Sequence, residues 1–193
     1  MKIGLFGGCF DPITIAHITV ANAVLDNNLV DEVWLLPAYR SLYNKTFKVS
    51  DKQRIEMCNL AILDNCRSNI KLFSYEIDNE LVESSLQVIS RIKKDFPDKK
   101  FYFIIGTDNA INLHKWNNYE KLINEITFII VPRNDYNVND SFHKLGLPHI
   151  YLKCDNIYGS STQVRNDIRK SSYLISSKVK EYIEENKLYE ILS

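Results

Sequence analysis

Six apolar runs of strand length punctuate the chain, and between them apolar residues recur every three or four positions, the spacing of one helical face. The first run holds Ile3, Leu5 and Phe6, the second spans 33–36 and stops at Pro37, and the third spans 70–73. The run at 101–105 is the most continuous and is expected at the centre of a sheet, because a strand buried on both faces reads as unbroken apolar sequence. A fifth run covers 126–131, and a sixth, 148–152, is expected at an edge. From about His17, a stripe of Ile18, Ala21, Val24 and Leu25 predicts a helix that runs out near Asp26 to Asn28. Ser50 or Asp51 is expected to cap a second helix, with Ile55, Cys58, Leu60, Ala61 and Ile62 along its apolar face and its end near Asn65. A third is predicted over 83–96 with Leu86, Ile89 and Ile92 inward, a fourth after Asp108 through Leu113 and Trp116, and a last over 176–185, before a short tail at Leu188, Tyr189 and Ile191. Strands alternating with helices imply a parallel sheet with right-handed crossovers, a doubly wound α/β fold. No repeat, linker or low-complexity segment interrupts it.

With 193 residues and 45% hydrophobic content, the chain can bury one sizeable core, and a single domain over 1–193 is expected. Lysine plus arginine, 24, equals aspartate plus glutamate, 24, so no overall field draws the chain to nucleic acid or to an anionic membrane. Any phosphate binding must rest on local clusters of cations. Cys9, Cys58, Cys66 and Cys154 show no Cys-x-x-Cys or Cys/His ligand spacing, so no protein-only metal site is expected. No leader pattern or membrane-length apolar run is visible, which points to a reduced, cytoplasmic protein. Cys9 lies near a predicted helix start, where a thiol can ionise more easily, although a small residue filling a tight turn explains it equally.

The chemistry concentrates at the ends of the predicted strands. Gly7 and Gly8 let a backbone turn sharply after the first strand, and Pro12 closes that turn. The helix start beyond it completes a cradle for phosphate. The pair lacks the third glycine of a dinucleotide fingerprint, and no Gly-x-x-x-x-Gly-Lys-Ser/Thr occurs anywhere. Thr14 and His17, three apart, fall on one helical face, where a hydroxyl and an imidazole can both reach a phosphate; a helix cap and a core histidine are the alternative. Asp108, after Gly106 at the end of the central run, is placed to accept from a ribose or to help hold magnesium, or simply to cap a helix. Trp116 offers a flat face to a heteroaromatic ring, and Arg133 a cation to adenine or phosphate. The aperiodic segment 38–50 reads as a crevice loop from which Arg40 or Lys45 could reach a phosphate. Ser160, Ser161 and Thr162 precede a helix carrying Arg165 and Arg169, four apart, a second helix start rich in donors.

Three of these stretches carry a resemblance. Gly-Gly-Cys-Phe-Asp-Pro-Ile-Thr-Ile-Ala-His at 7–17 resembles the first signature of the nucleotidyltransferase superfamily, with Ala16 where glycine is usual and Cys9 where serine or threonine is common. Gly-x-Asp-x-x-x-x-Leu-x-x-Trp at 106–116 is similar to the second signature of the nicotinate and nicotinamide mononucleotide adenylyltransferases. Ser-Ser-Thr-x-Val-Arg at 160–165 resembles the superfamily's last motif, with Gly159 for the usual isoleucine. More loosely, the spacing of Lys45, Arg54, Met57 and residues 60–62 resembles the same family, and Ser84 and Ser85 fall where it carries a threonine-rich segment, with Val82 replacing the first hydroxyl. The resemblance implies a Rossmann-like nucleotidyltransferase fold with C-terminal helices. It implies transfer of the adenylyl group of ATP to a pyridine mononucleotide, with Mg2+ entering on ATP. His17, Thr14 and Arg165 would be catalytic, and Gly7, Gly8, Cys9, Phe10, Gly106, Asp108, Arg133, Ser160, Ser161 and Thr162 would join them in binding ATP. Lys45, Ser84, Ser85 and Trp116 would meet the mononucleotide. A phosphopantetheine adenylyltransferase and a weakly active nucleotide-binding regulator are the alternatives, and self-association into a homo-oligomer is a reasonable expectation.

Overall fold

The computed structural model describes residues 1–40, 46–65, 67–133 and 148–189. Lys45, Cys66, the whole of the polar, asparagine-rich stretch 134–144 and Ile191 therefore lie outside the described residues. Six strands, β1 (Lys2–Gly8), β2 (Glu32–Pro37), β3 (Ile70–Leu72), β4 (Lys100–Gly106), β5 (Thr127–Val131) and β6 (His149–Tyr151), form one sheet in the order β3-β2-β1-β4-β5-β6. Every pairing is parallel. The chain winds outward from β1 to β3, returns to lay β4 against β1, and winds out the other way, so β1 and β4 are central and β6 is an edge. The strand order reverses between β1 and β4, and in such sheets ligands enter the crevice at the carboxyl ends of the strands flanking that point.

Side chains alternate between two cores. Ile3 and Leu5 of β1, Trp34 and Leu36 of β2, Phe101, Phe103 and Ile105 of β4, and Phe128 and Ile130 of β5 face one layer. That layer is closed by α4 (Ser85–Asp95) and α6 (Tyr119–Glu125), through Val88, Ile89, Ile92 and Leu122. Phe6, Val33, Leu35, Tyr102, Ile104, Ile129 and Val131 face the opposite layer, under α1 (Ile15–Asp26), α2 (Asp51–Asn65), α7 (Ser161–Asn166) and α8 (Ser177–Glu185). Burial of both faces is what the continuous apolar runs encode.

The structure corrects several expected details. Gly7 and Gly8 are not in a turn: they extend β1 and pair with Leu36 and Pro37. The left-handed residue of the turn is Phe10, with φ of 46°, and the Asp11–Pro12 bond is cis. On α2 the buried face is Arg54, Met57, Cys58 and Ala61, so Ile55 and Ile62 sit at its flanks. The segment after β4 is not one helix but α5 (Thr107–Ala110), then a 3-10 turn at Leu113–Lys115. Two short helices escaped the pattern, α3 (Tyr75–Asp78) and α6, which enters from a left-handed Asn118 and buries only Leu122. The helix after Ser160 ends at Asn166, because Asp167 turns the chain and its Oδ1 accepts the Lys170 N–H at 3.1 Å.

Candidate active site

The segment from Cys9 to Thr14 carries the chain from β1 into α1. Thr14 is the N-cap residue, in extended conformation, and His17 is three residues into the helix. The His17 Nδ1 accepts the Thr14 backbone N–H at 3.0 Å and lies 2.8 Å from the Thr14 hydroxyl. Capping and the proposed phosphate role are therefore compatible, because the cap uses only one ring nitrogen. A backbone N–H can only donate, so Nδ1 is an acceptor and the neutral ring carries its proton on Nε2. The rings of Phe6 and Phe10 stand 6.0 and 5.1 Å from the imidazole. Apolar rings thus stand beside the imidazole, and burial, followed by the charge of Arg133, lowers its pKa to about 3. His17 is a neutral donor at physiological pH, not an imidazolium.

The facing wall comes from the ends of β4 and β5. Thr107, fully buried, ties them together: its hydroxyl donates to the Arg133 carbonyl and accepts the Arg133 N–H, both at 2.9 Å. The Arg133 side chain runs back past Gly106, where a Cβ would lie 2.6 Å from its Cδ and would also overlap Asp108 Oδ1, so only glycine fits. Its Nη2 donates to the Gly159 carbonyl at 2.8 Å. Asp108 Oδ1 is buried with no hydrogen-bond partner, a carboxylate oxygen held ready for a donor the protein does not supply.

The third wall is α7. Ser160 is its N-cap, with Oγ accepting the Gln163 N–H at 3.3 Å. Ser161 Oγ donates to the Pro12 carbonyl at 2.8 Å, and Arg165 Nη1 donates to the Asp11 carbonyl at 2.6 Å, contacts spanning 149 and 154 positions of sequence. Arg165 Nη2 also reaches the Thr162 hydroxyl at 3.0 Å. The first and last motifs are therefore laced directly together. Arg169 is exposed and lies beyond the end of α7, so of the two arginines expected on this helix only Arg165 belongs to it. Gly159 has φ of 112°, a conformation that only glycine adopts without strain, and a Cβ there would stand 3.7 Å from Ala16 Cβ. The positions of two of the departures from the superfamily pattern thus face each other.

The other expected residues have local partners of their own, apart from Lys45. Ser84 caps α4, and its hydroxyl donates to Gln87 Oε1 at 2.8 Å, so capping accounts for it; Ser85 is the first residue of the same helix. Trp116 is half-buried and packs edge-on to Phe103, at 6.2 Å between centroids, while Lys115 is drawn to Asn112 Oδ1 at 2.8 Å. Arg40 lies over the Tyr39 ring and pairs with Asp51 at 3.1 Å. Cys9 is half-buried, and its carbonyl accepts from Arg54. Lys45 lies outside the described residues.

Three supporting residues were not legible as such. Arg54 is fully buried and donates to the carbonyls of Cys9 and Ala38, each at 2.7 Å, and to Asp51 at 2.6 Å, pinning the ends of β1 and β2 to α2. Glu76 accepts the Tyr39 N–H at 3.3 Å, and burial pushes its carboxyl up to about 7. Asp11, 2% exposed, accepts the Lys48 N–H at 2.8 Å and the Tyr189 hydroxyl at 2.7 Å. Arg54 and Asp11 stood out only as members of stretches that carry the resemblance, and nothing pointed to Tyr189, because its contact with Asp11 spans 178 positions.

Comparison with known proteins agrees with this geometry. A family model described as cytidylyltransferase-like matches residues 5–167. The nicotinate-nucleotide adenylyltransferase of Bacillus subtilis is 35% identical over 193 residues, covering 98% of both chains. A probable nicotinate-nucleotide adenylyltransferase of Bacillus licheniformis is 34% identical over 194 residues, again covering 98% of both. Among solved structures, the Plasmodium falciparum nicotinic acid mononucleotide adenylyltransferase complexed with NaAD superposes with a TM-score of 0.82 at 25% identity, covering 97% of each chain. The same enzyme complexed with APC gives 0.78 at 26% identity, covering 97% of this chain and 96% of that one. With the fold, three motifs and near-complete coverage in agreement, the chain belongs to the cytidylyltransferase-like family and, within it, to the nicotinate-nucleotide adenylyltransferases.

Proposed function

We propose that this chain transfers the adenylyl group of ATP to nicotinate mononucleotide, releasing pyrophosphate and forming deamido-NAD. The observation that carries the reading is the lacing of α7 onto the Asp11–Pro12 segment, which anchors Ser161 and Arg165 to the turn that precedes His17, beside the sheet's switch point. The neighbour's complexes with NaAD and APC support the choice of substrates.

The reaction needs no protein nucleophile. An oxygen of the mononucleotide 5′-phosphate attacks the α-phosphorus of ATP, and the bond from that phosphorus to the bridging oxygen breaks, its electrons leaving with pyrophosphate. The protein's task is alignment and stabilisation of charge. In this reading His17 donates from Nε2 to an α-phosphate oxygen as charge develops, with Thr14 holding the ring's tautomer. Arg165 and the α7 hydroxyls meet the β- and γ-phosphates, and Arg133 adds positive charge near His17. Asp108 Oδ1 takes a ribose hydroxyl as its missing donor. The adenine would enter the apolar cavity of about 410 Å³ bordered by Ile15, Ala16, Thr19, Ile157, Tyr158 and Leu174, and Trp116 would face the pyridine ring.

Mg2+ would neutralise charge on the departing pyrophosphate. Among the described residues no cluster of three or more His, Cys, Asp or Glu could hold a metal, and in this reading the ion enters on the phosphate oxygens of ATP. Among those residues, no helix is long and apolar enough to cross a membrane. We place the reaction in the cytoplasm, with no nucleic-acid partner.

The test is pyrophosphate release from Mg-ATP with nicotinate mononucleotide, nicotinamide mononucleotide and phosphopantetheine as parallel acceptors. The expected result is the highest kcat/KM with nicotinate mononucleotide. Release only with phosphopantetheine, or with none, would sink the reading.

A further inference from the structure

We propose that Tyr189 is a positioning residue for adenylyl transfer: its hydroxyl, through the Asp11 carboxylate, holds the turn to which the phosphate-facing Arg165 is anchored. The inference deepens the proposed function and rests on it. Three segments distant in sequence meet at Asp11. The Tyr189 hydroxyl donates to Oδ1 at 2.7 Å, the Lys48 backbone N–H donates to Oδ2 at 2.8 Å, and Arg165 Nη1 donates to the residue's own carbonyl at 2.6 Å. The carboxylate is 2% exposed, so water does not compete for these bonds. A buried carboxylate stripped of one donor re-aims toward the others, and its peptide carries Arg165 with it.

Tyr189 is itself held in a strained state. Its φ is 60°, in the left-handed region that a bulky side chain enters only when its surroundings impose it. The preceding Leu188 anchors the approach: it is buried in the core under α2 and α8, and its N–H donates to the Ile183 carbonyl at 3.0 Å, closing the end of α8. Burial, reinforced by Asp11, pushes the phenol's pKa far up, so the hydroxyl stays a donor throughout the working range. The strain, the core anchor and the single polar target together describe a latch set on the turn that precedes His17.

The test compares wild type, Tyr189→Phe, Arg165→Lys and the double variant in pyrophosphate release, ATP binding by calorimetry and thermal melting. Tyr189→Phe keeps the ring and removes only the hydroxyl. The expected result is a fall in kcat of roughly tenfold to a hundredfold, the scale of a misplaced catalytic group. The KM for the mononucleotide should stay within about twofold, because Arg165 does not face it. In the Arg165→Lys background the same substitution should have little further effect, since both act along one route. A kcat within about twofold of wild type, or full additivity with Arg165→Lys, would overturn the proposal. Should Tyr189→Phe fail to fold, Asp11→Asn, with the same expected non-additivity, decides in its place. If the wild type releases no pyrophosphate with any acceptor, the proposed function fails, and the latch is then read from the ATP Kd alone: a loss of several-fold in Tyr189→Phe that disappears beside Arg165→Lys supports it, and an unchanged Kd overturns it.

Discussion

His17 performs two tasks with its two nitrogens. Nδ1 closes the start of α1, and the proton this leaves on Nε2 is the one the proposed mechanism uses. His17→Ala is expected to lower kcat for pyrophosphate release by roughly 10²–10³, the usual cost of one preorganised donor, while the loss of its cap contact lowers Tm by only a few degrees. Because the folded pKa is about 3 against an ordinary 6.5, the neutral ring's contribution to stability is complete above about 6.5 and drains away as pH falls toward 3. His17 therefore contributes no limb near pH 6.5 to the rate profile, and a limb there that vanished in His17→Gln would contradict the neutral-donor role. Glu76 has the opposite sign. Its carboxyl is raised to about 7, so the buried charge penalises the fold increasingly as pH rises from about 4.5 through 7. Glu76→Gln keeps an oxygen for the Tyr39 N–H and should raise Tm at pH 8 by roughly 1–3 °C more than at pH 5, checked by melting both proteins at both values.

At the scale of elements, the strands were legible because burial on both faces leaves no polar positions to blur the runs at 101–105 and 126–131. The short helices were not, since α3 and α6 offer too few turns for a stripe to repeat. The face of α2 was misphased because the residue at its centre is Arg54, which lies inside to satisfy two carbonyls at strand ends, and no polarity pattern anticipates a buried guanidinium. Gly7 and Gly8 announced a turn, but they lie at the end of β1, with Gly8 leaving room for the Phe10 ring 3.0 Å from where a Cβ would stand. Gly106 makes the same point at the end of β4. Gly106→Ala must push Arg133 and Asp108 aside at once, and overpacking of about 1–3 kcal/mol is expected, a Tm loss of roughly 3–10 °C. A matching fall in ATP affinity, measured by calorimetry, would show that the displaced side chains bind the nucleotide; Gly106→Ala with wild-type affinity would remove both from that role.

For the whole molecule, the motifs made the wall residues legible one by one, while their convergence needed the fold. A sheet wound outward in both directions from β1 and β4 also sets a gradient of stability. Amides of β1 and β4, each flanked by two strands, should exchange hydrogen only on global unfolding, and those of the three-residue edge strands β3 and β6 well before, as native-state exchange would show. The lacing of residues 11 and 12 to 161 and 165 has a further consequence during synthesis. The turn at 11–12 is synthesised before the α7 residues that lace it, which follow some 149 residues later, roughly 7–30 s at about 5–20 residues per second. A nascent chain stopped anywhere before residue 161 possesses the histidine and lacks the surface that would present a triphosphate to it. In the proposed mechanism, competence to consume ATP is thereby confined to molecules whose translation has passed that point.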